Sequence, residues 1–534
     1  MSEQNEFKGR IRPAAKKRKK EKAVETPSVP EGWTLCRVYM KRKNRFCRQQ
    51  PVPKCPQQYC GNHQYLLHGA NLQSPQHQQS SGNEAVSTPK NTHIPCPVDN
   101  SHWILKESLQ KHLLICPKAK ELAWQSQQVW FCKDCNASGS GPISPMKGKS
   151  STPLSLDQAK ALALHVLQTH ARIFERKNLS DHEIRALTLS DIESALPMEE
   201  FEYDESLFGS GGNQKDNNDD NHYRIRFGGL KHMRQQGSLL GHLRAATKNH
   251  RHESNPHLFV EVGAGRGMMG LVAAGVMAAD SNDLTRLLLV ERSGSRDKAE
   301  KTLRNYFSKK KSSSQSFRFD KVEWQRVQCD LQDLDMGKAV ASSFGASAAR
   351  LSTHVIGKHV CGVGTDLSLK ALENMNGVTI QSCIMATCCH GICFWKDYVG
   401  RDFLVSEVNA GPAEFDCIRK WCAASVATKP DVVHEEKAKI NTSEIGDSRD
   451  KDETYNEHIV GETAVDRTIV SVSQVVEALG LTCGKLGLGR ACQRLIDYGR
   501  LQYMKNELKF SRVKLVHYVP SSVTPQNAVL VAER

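Results

Sequence analysis

No stretch of eighteen or more consecutive apolar residues occurs in the 534-residue chain, and its N-terminus is charged rather than apolar. A spanning helix and a secretory leader are therefore not expected, and the protein reads as soluble, unsecreted and without a membrane partner. Hydrophobic residues are scarce, at 39%. Much of the length is then linker or small metal-held modules rather than core, and about two to four domains are expected. Acidic residues fall short of basic ones, which leaves a formal net charge of +15. That surplus suits a polyanion, since phosphate neutralisation supplies most non-specific nucleic-acid affinity, although a coat of solvating lysines is the plainer alternative. Disulfides are not expected either: in an unsecreted chain the 18 cysteines are thiols or metal ligands.

What is present is organised around Phe259–Gly270, FVEVGAGRGMMG. The apolar run 257–262 reads as a strand, glycines follow at 263, 265 and 267, and 268–279 reads as a helix. This is the first unit of a nucleotide-type α/β fold, in which glycine lets a cofactor press against the turn and the helix presents free N–H groups. A dinucleotide fingerprint needs a third glycine where Met268 stands, whereas GxGxG after the acidic Glu261 suits S-adenosylmethionine. A simple tight turn is the alternative.

The order of later elements strengthens the cofactor reading. A second strand, 285–290, closes on Glu291, where a doubly wound sheet places the acid that holds ribose hydroxyls. A third, 321–327, precedes Asp330, expected beside the adenine. A fourth, 353–357, ends in Lys358-His359-Val360-Cys361-Gly362, and a fifth, 378–386, ends in Thr387-Cys388-Cys389-His390. Five strand ends thus converge on one crevice. The runs 513–519 and 527–533 suit a terminal antiparallel hairpin.

The N-terminal part divides into small pieces. Residues 1–30 are a disordered basic tail whose run Lys16–Lys20 is a nuclear address, an RNA hook or merely solvated, so nucleus or cytoplasm is expected. In 33–65, Cys36, Cys47, Cys60 and His63 form a CysCysCysHis zinc set, with Cys55 as a fifth candidate. Lys41, Arg42 and Arg45 between them suit phosphates. In 93–119, Cys96, His102, His112 and Cys116, with five, nine and three residues between ligands, form a CysHisHisCys zinc set. Cys132 and Cys135 are an isolated pair without a second pair to complete a site. Residues 120–222 read as a linker containing a helix at 156–173, and 223–534 as the catalytic domain, with 430–464 a disordered insert. The helix around 492–500 carries Arg494 and Arg500, which either hold phosphates or pair with Asp497 on the surface. Lys231–Gly241 either lines the crevice or packs as a helix on the sheet.

The two fingers, followed by KHVCGVGTDL at 358–367, CCHGICFW at 388–395 and CQRLIDYGR at 492–500, resemble the eukaryotic tRNA 2'-O-ribose methyltransferases that act on the fourth nucleotide of the acceptor stem, the Trm-thirteen family. The resemblance covers 33–117 and 225–534. Gln493 departs from it, standing where lysine is expected. It implies a Rossmann-like S-adenosylmethionine-dependent methyltransferase domain preceded by two small zinc fingers, with zinc as structural metal and the tRNA acceptor stem as partner; a monomer is expected.

For the reaction, Lys358 and His359 are the favoured proton-handling pair and His390 the next candidate. Histidines that only fix loops are the alternative. Cys388 and Cys389 are expected to diverge to opposite faces and so to chelate poorly. A zinc-finger RNA scaffold with an inactive domain, or a methyltransferase acting on RNA bases, are the competing functions.

Overall fold

The computed structural model describes residues 93–137 (except 100 and 101), 153–202, 230–248, 256–303 (except 282, 295–298 and 302), 317–423 (except 346, 347, 349, 350, 359 and 376) and 469–534, with positions 29, 34–40, 45–47, 50, 51 and 58 before them. The chain divides into two compact units, 1–124 and 125–534. The basic tail, Cys55, Cys60, His63, His359 and the insert 430–464 lie outside the described residues.

The larger unit is built on a seven-stranded sheet: β1 His257–Val262, β2 Thr285–Glu291, β3 Val322–Gln328, β4 Ser352–Lys358, β5 Ile380–Ala386, β6 Arg512–His517 and β7 Ala528–Glu533. Their order across the sheet is β6-β7-β5-β4-β1-β2-β3. The five from β5 to β3 are mutually parallel, and β7 runs antiparallel to both β5 and β6. The terminal hairpin expected from the sequence is thus present. Strand order reverses between β1 and β4, which opens a crevice at their carboxyl ends.

The central strands are apolar at nearly every position because both faces of the sheet are covered. Leu258, Val260 and Val262 of β1 join one core cluster while Phe259 joins the other. Leu288 and Val290 of β2 likewise separate from Leu287 and Leu289. Register is therefore firmly set, since a slip by one residue would exchange every side chain between two different cores.

Within 120–222, read from the sequence as a linker containing a helix, the described residues 125–137 and 153–202 pack against the rest of the larger unit. Helix Leu156–His170, opened by a capping box of Ser155 and Gln158, shares a third core cluster with the long helix Gly484–Asn506. Further along, Glu199 N–H donates to the His517 carbonyl at 2.8 Å, and His517 N–H to the Pro197 carbonyl at 2.8 Å. Asn136, buried, donates to the Leu331 and Leu334 carbonyls at 2.7 and 2.8 Å. Helix Leu156–His170 carries many polar residues because it buries only one apolar stripe, Ala159, Leu162, Ala163, Val166 and Leu167, and turns another face to solvent.

In the smaller unit, strands His93–Pro95 and Trp103–Leu105 pair antiparallel and lead into helix Leu109–Ile115. Among the described residues, no helix is long and apolar enough to cross a membrane.

Candidate active site

The glycine loop joins β1 to helix Met268–Ser281, and its three glycines all adopt left-handed φ, at 63°, 50° and 81° for Gly263, Gly265 and Gly267. At Gly267 a Cβ would lie 2.7 Å from Arg326 Nη2 and 2.8 Å from Leu289 Cδ1 on a backbone of φ 81°, so a side chain there would be strained and would displace Arg326. At Gly265 a Cβ would meet nothing within 4 Å. The loop is packed from one end and leaves room at the other, as a cofactor pressed against the turn requires.

Two acids from adjacent strand ends bracket the loop. Glu261, buried at the end of β1, accepts from Gly270 N–H at 2.9 Å. Burial pushes its carboxyl up to about 8, against the pull of that N–H and of the Arg326 and Lys358 charges. Glu291, at the end of β2, accepts from Gly265 N–H at 2.8 Å through one oxygen and from Ser293 N–H at 3.0 Å through the other. Ser293 Oγ also donates to the second oxygen, at 3.1 Å; a carboxylate offers about four acceptor directions, so Glu291 keeps one, on the oxygen that Gly265 holds, for a ribose hydroxyl. Beyond β3, Asp330 caps a short turn, accepting from Gln332 N–H at 3.1 Å, with Arg292 Nη1 3.9 Å from its carboxylate.

Arg326 of β3 escaped the sequence reading. Its guanidinium donates to the Gly265 and Arg266 carbonyls at 2.9 and 3.0 Å and is anchored by Glu300 at 3.3 Å. The arginine thus holds the loop open from beneath. Its signal was a cation in mid-strand paired in register with Leu289 of β2.

On the other side of the crevice, Lys358 ends β4 half-buried, and His390 follows β5 at 3% exposure. His390 Nε2 lies 2.9 Å from Asp497 Oδ1, while its Nδ1 is buried without a hydrogen-bond partner. Asp497 also accepts from Thr387 Oγ1 at 2.8 Å and from Arg500 Nη1 at 3.0 Å. Burial works against the charge on Asp497, but His390, Arg500 and Thr387 outweigh it and hold its pKa below the ordinary value.

Arg500 and Arg494 correct the sequence reading. Arg500, 0% exposed, grips Asp366 through Nε at 3.1 Å and Nη2 at 2.7 Å, and also reaches the Gly362 carbonyl and Cys393 Sγ. Arg494, 2% exposed, donates to the Ile192 and Glu193 carbonyls and lies 2.9 Å from His517 Nε2. Neither guanidinium reaches solvent. Their place is structural, because the helix that carries them is the buried spine of the third core cluster rather than a surface helix. Of the other expected phosphate contacts, Lys41, Arg42 and the Arg45 side chain lie outside what is described.

A second correction concerns the cysteines. Cys388 and Cys389 do not diverge: they follow the end of β5, where strand alternation no longer applies, and Cys389 adopts a left-handed φ of 53°. Both reach Cys361, at Sγ–Sγ distances of 3.5 and 3.3 Å.

In the smaller unit Cys96, His102, His112 and Cys116 converge, with all their ligand atoms within 4.8 Å of one another. The two Sγ atoms are 4.0 Å apart and the two Nε2 atoms 2.9 Å apart. This closed set of two thiols and two imidazoles fits tetrahedral zinc, and Asp99, 3.5 Å from His102 Nδ1, would orient that ring from behind. Of the other expected set only Cys36 and Cys47 are described, both buried.

Comparison with known proteins matches residues 234–533 to a family model described as Methyltransferase TRM13 and residues 94–117 to a U11-48K-like CHHC zinc finger. A Saccharomyces cerevisiae protein named tRNA:m(4)X modification enzyme TRM13 is 24% identical, covering 93% of this chain and 95% of the relative. A mouse protein named as its homolog is 23% identical over 96% of each chain, and a human homolog 22% identical over 93% of this chain and 94% of the relative.

Proposed function

The chain belongs to the TRM13 methyltransferase family, and from that premise we propose that it transfers a methyl group from S-adenosylmethionine to a ribose 2'-hydroxyl at the fourth nucleotide of the tRNA acceptor stem. The relatives' shared name, tRNA:m(4)X modification enzyme, supports tRNA as substrate. The observation that carries the cofactor part is the contact of Gly265 N–H with Glu291 at 2.8 Å, a glycine turn facing an acid across two neighbouring parallel strands.

When bound, S-adenosylmethionine supplies an electrophilic methyl on a positively charged sulfur. Glu291 would accept from a ribose hydroxyl of this cofactor, and Asp330 would meet its adenine edge. Gly263, Gly265 and Gly267 would leave the space its amino-acid portion needs, with Glu261 fixing the loop through Gly270 N–H. The acceptor hydroxyl is a poor nucleophile, so orientation matters most; alignment alone contributes on the order of 7–11 kcal/mol of the barrier. Lys358, which ends β4, and His359, the next residue in sequence, are the favoured groups to take or spread its proton. His390 already has the carboxylate partner that orients a general base, with Nδ1 as its accepting nitrogen, although that atom is covered and a substrate would have to uncover it.

Recognition would rest on the two fingers, each holding zinc, together with the surplus of positive charge. An A-form stem hides its base edges in a deep major groove, so shape, 2'-hydroxyls and distance from the stem's end are what a protein can read. The test is to methylate unmodified tRNA with labelled S-adenosylmethionine and digest it to nucleosides. Label retained on the ribose after the base is removed is the expected result; label leaving with the base overturns the ribose assignment.

A further inference from the structure

Three thiols meet where no role has been given to them. Cys361 lies in the loop after β4, and Cys388 and Cys389 lie just after β5. The two loops are tied by Gly362 N–H donating to the Cys388 carbonyl at 3.3 Å. Gly362, at φ 54°, admits no side chain, since a Cβ would come within 2.4 Å of Ile392 and 3.0 Å of its carbonyl oxygen. The approach of the loops is therefore built into the backbone. Within it, Cys361 Sγ is 3.5 Å from Cys388 Sγ and 3.3 Å from Cys389 Sγ, and all three sulfurs lie within 4.8 Å of one another.

We propose that Cys361, Cys388 and Cys389 bind a single zinc ion, a site separate from both fingers that clamps the ends of β4 and β5 together at the crevice. Tetrahedral zinc with bonds of about 2.3 Å sets its sulfurs roughly 3.8 Å apart, so an ion would widen the two Cys361 distances by only a few tenths of an ångström. A [4Fe–4S] cluster places each cysteine on a different iron and needs a wider arrangement. A disulfide would use two sulfurs and leave the third equally close and unused, and the two short distances share Cys361 rather than singling out one pair. Three thiolates and no oxygen donor select a soft cation over magnesium or calcium.

The loop that carries Cys361 is also held from the helix side. Helix Val363–Glu373 begins two residues after Cys361, and its first N–H groups close the turn, Gly364 donating to the Cys361 carbonyl at 2.9 Å and Thr365 to the Gly362 carbonyl at 3.2 Å, where the Arg500 guanidinium also donates at 3.2 Å. Cys388 is buried while Cys361 and Cys389 are half-buried, which leaves one side open for entry of the ion and for a water as fourth ligand. On binding, each thiol gives up its proton to solvent, three per ion. The site does not depend on which RNA atom receives the methyl group.

The test is zinc content per chain, measured on the intact protein and on the full-length variants Cys361→Ser and Cys389→Ser. The fingers are common to all three, so the expected result is one zinc fewer in each variant; equal zinc content overturns the proposal. Because a variant that misfolds could lose metal for other reasons, the unmodified protein is also alkylated before and after chelation and its cysteine peptides quantified. Labelling of Cys361, Cys388 and Cys389 only after chelation is expected. Equal labelling at both stages, or a disulfide among the three in a non-reducing digest, overturns it.

Discussion

Replacing Arg500 by methionine, which keeps much of its volume, should destabilise the larger unit without touching a phosphate contact. The guanidinium is 0% exposed and lies between two carboxylates that are each 1% exposed, with Asp366 held at 2.7 Å and Asp497 at 3.0 Å. Burial opposes its charge, yet Asp366, Cys393 and Asp497 hold its pKa above the ordinary value. Removing one partner of a buried pair costs about 3–5 kcal/mol, because the other charge is left without compensation. That is a large fraction of the roughly 5–15 kcal/mol by which domains are stable. The assay is urea unfolding, with Arg500→Met expected to lower the midpoint at unchanged slope, and Asp366→Asn combined with Arg500→Met expected to recover part of the loss. A loss of stability below about 0.5 kcal/mol, together with weaker RNA binding and a shallower salt dependence, would refute the strut and return Arg500 to phosphate binding.

At the glycine loop, Gly265→Val should lower S-adenosylhomocysteine affinity at least tenfold by calorimetry, because its side chain enters the space left at that residue on a backbone of φ 50° that disfavours it. Glu261 contributes a pH dependence of definite sign: with its carboxyl raised to about 8 in the fold, it binds a proton that the unfolded chain releases near 4.5, so its contribution is full below 4.5 and is lost as pH rises to about 8. Glu261→Gln keeps an acceptor for Gly270 N–H and should flatten the melting temperature between pH 6 and 8; an unchanged slope would show that the acid ionises freely. In the finger, His112→Ala should release one zinc and unfold 93–116 as read by amide exchange, while the melting transition of the larger unit stays in place.

The sheet was legible because each central strand is buried on both faces and so reads as an unbroken apolar run ending at a recognisable residue, Glu261, Glu291 or Lys358. The finger was legible because ligand spacing survives in one dimension. What was not legible depends on side chains meeting across long sequence distances. Arg494 and Arg500 look like surface cations until their helix is seen enclosed by Leu156–His170 and Pro412–Cys422, and their partners Ile192 and Asp366 lie hundreds of residues or another fold layer away. Cys361 gains its neighbours only through the parallel pairing of β4 with β5, which sets Lys358 opposite Ala386 and carries both following loops to one place. Alternation misjudged Cys388 and Cys389 because it was extended past the end of a strand.

The most direct test of the central claim is methyl transfer from labelled S-adenosylmethionine to a synthetic tRNA carrying either ribose or 2'-deoxyribose at the fourth nucleotide. Incorporation into the ribose substrate and none into the deoxy substrate is the predicted result. Equal incorporation into both would place the methyl group elsewhere and contradict the account.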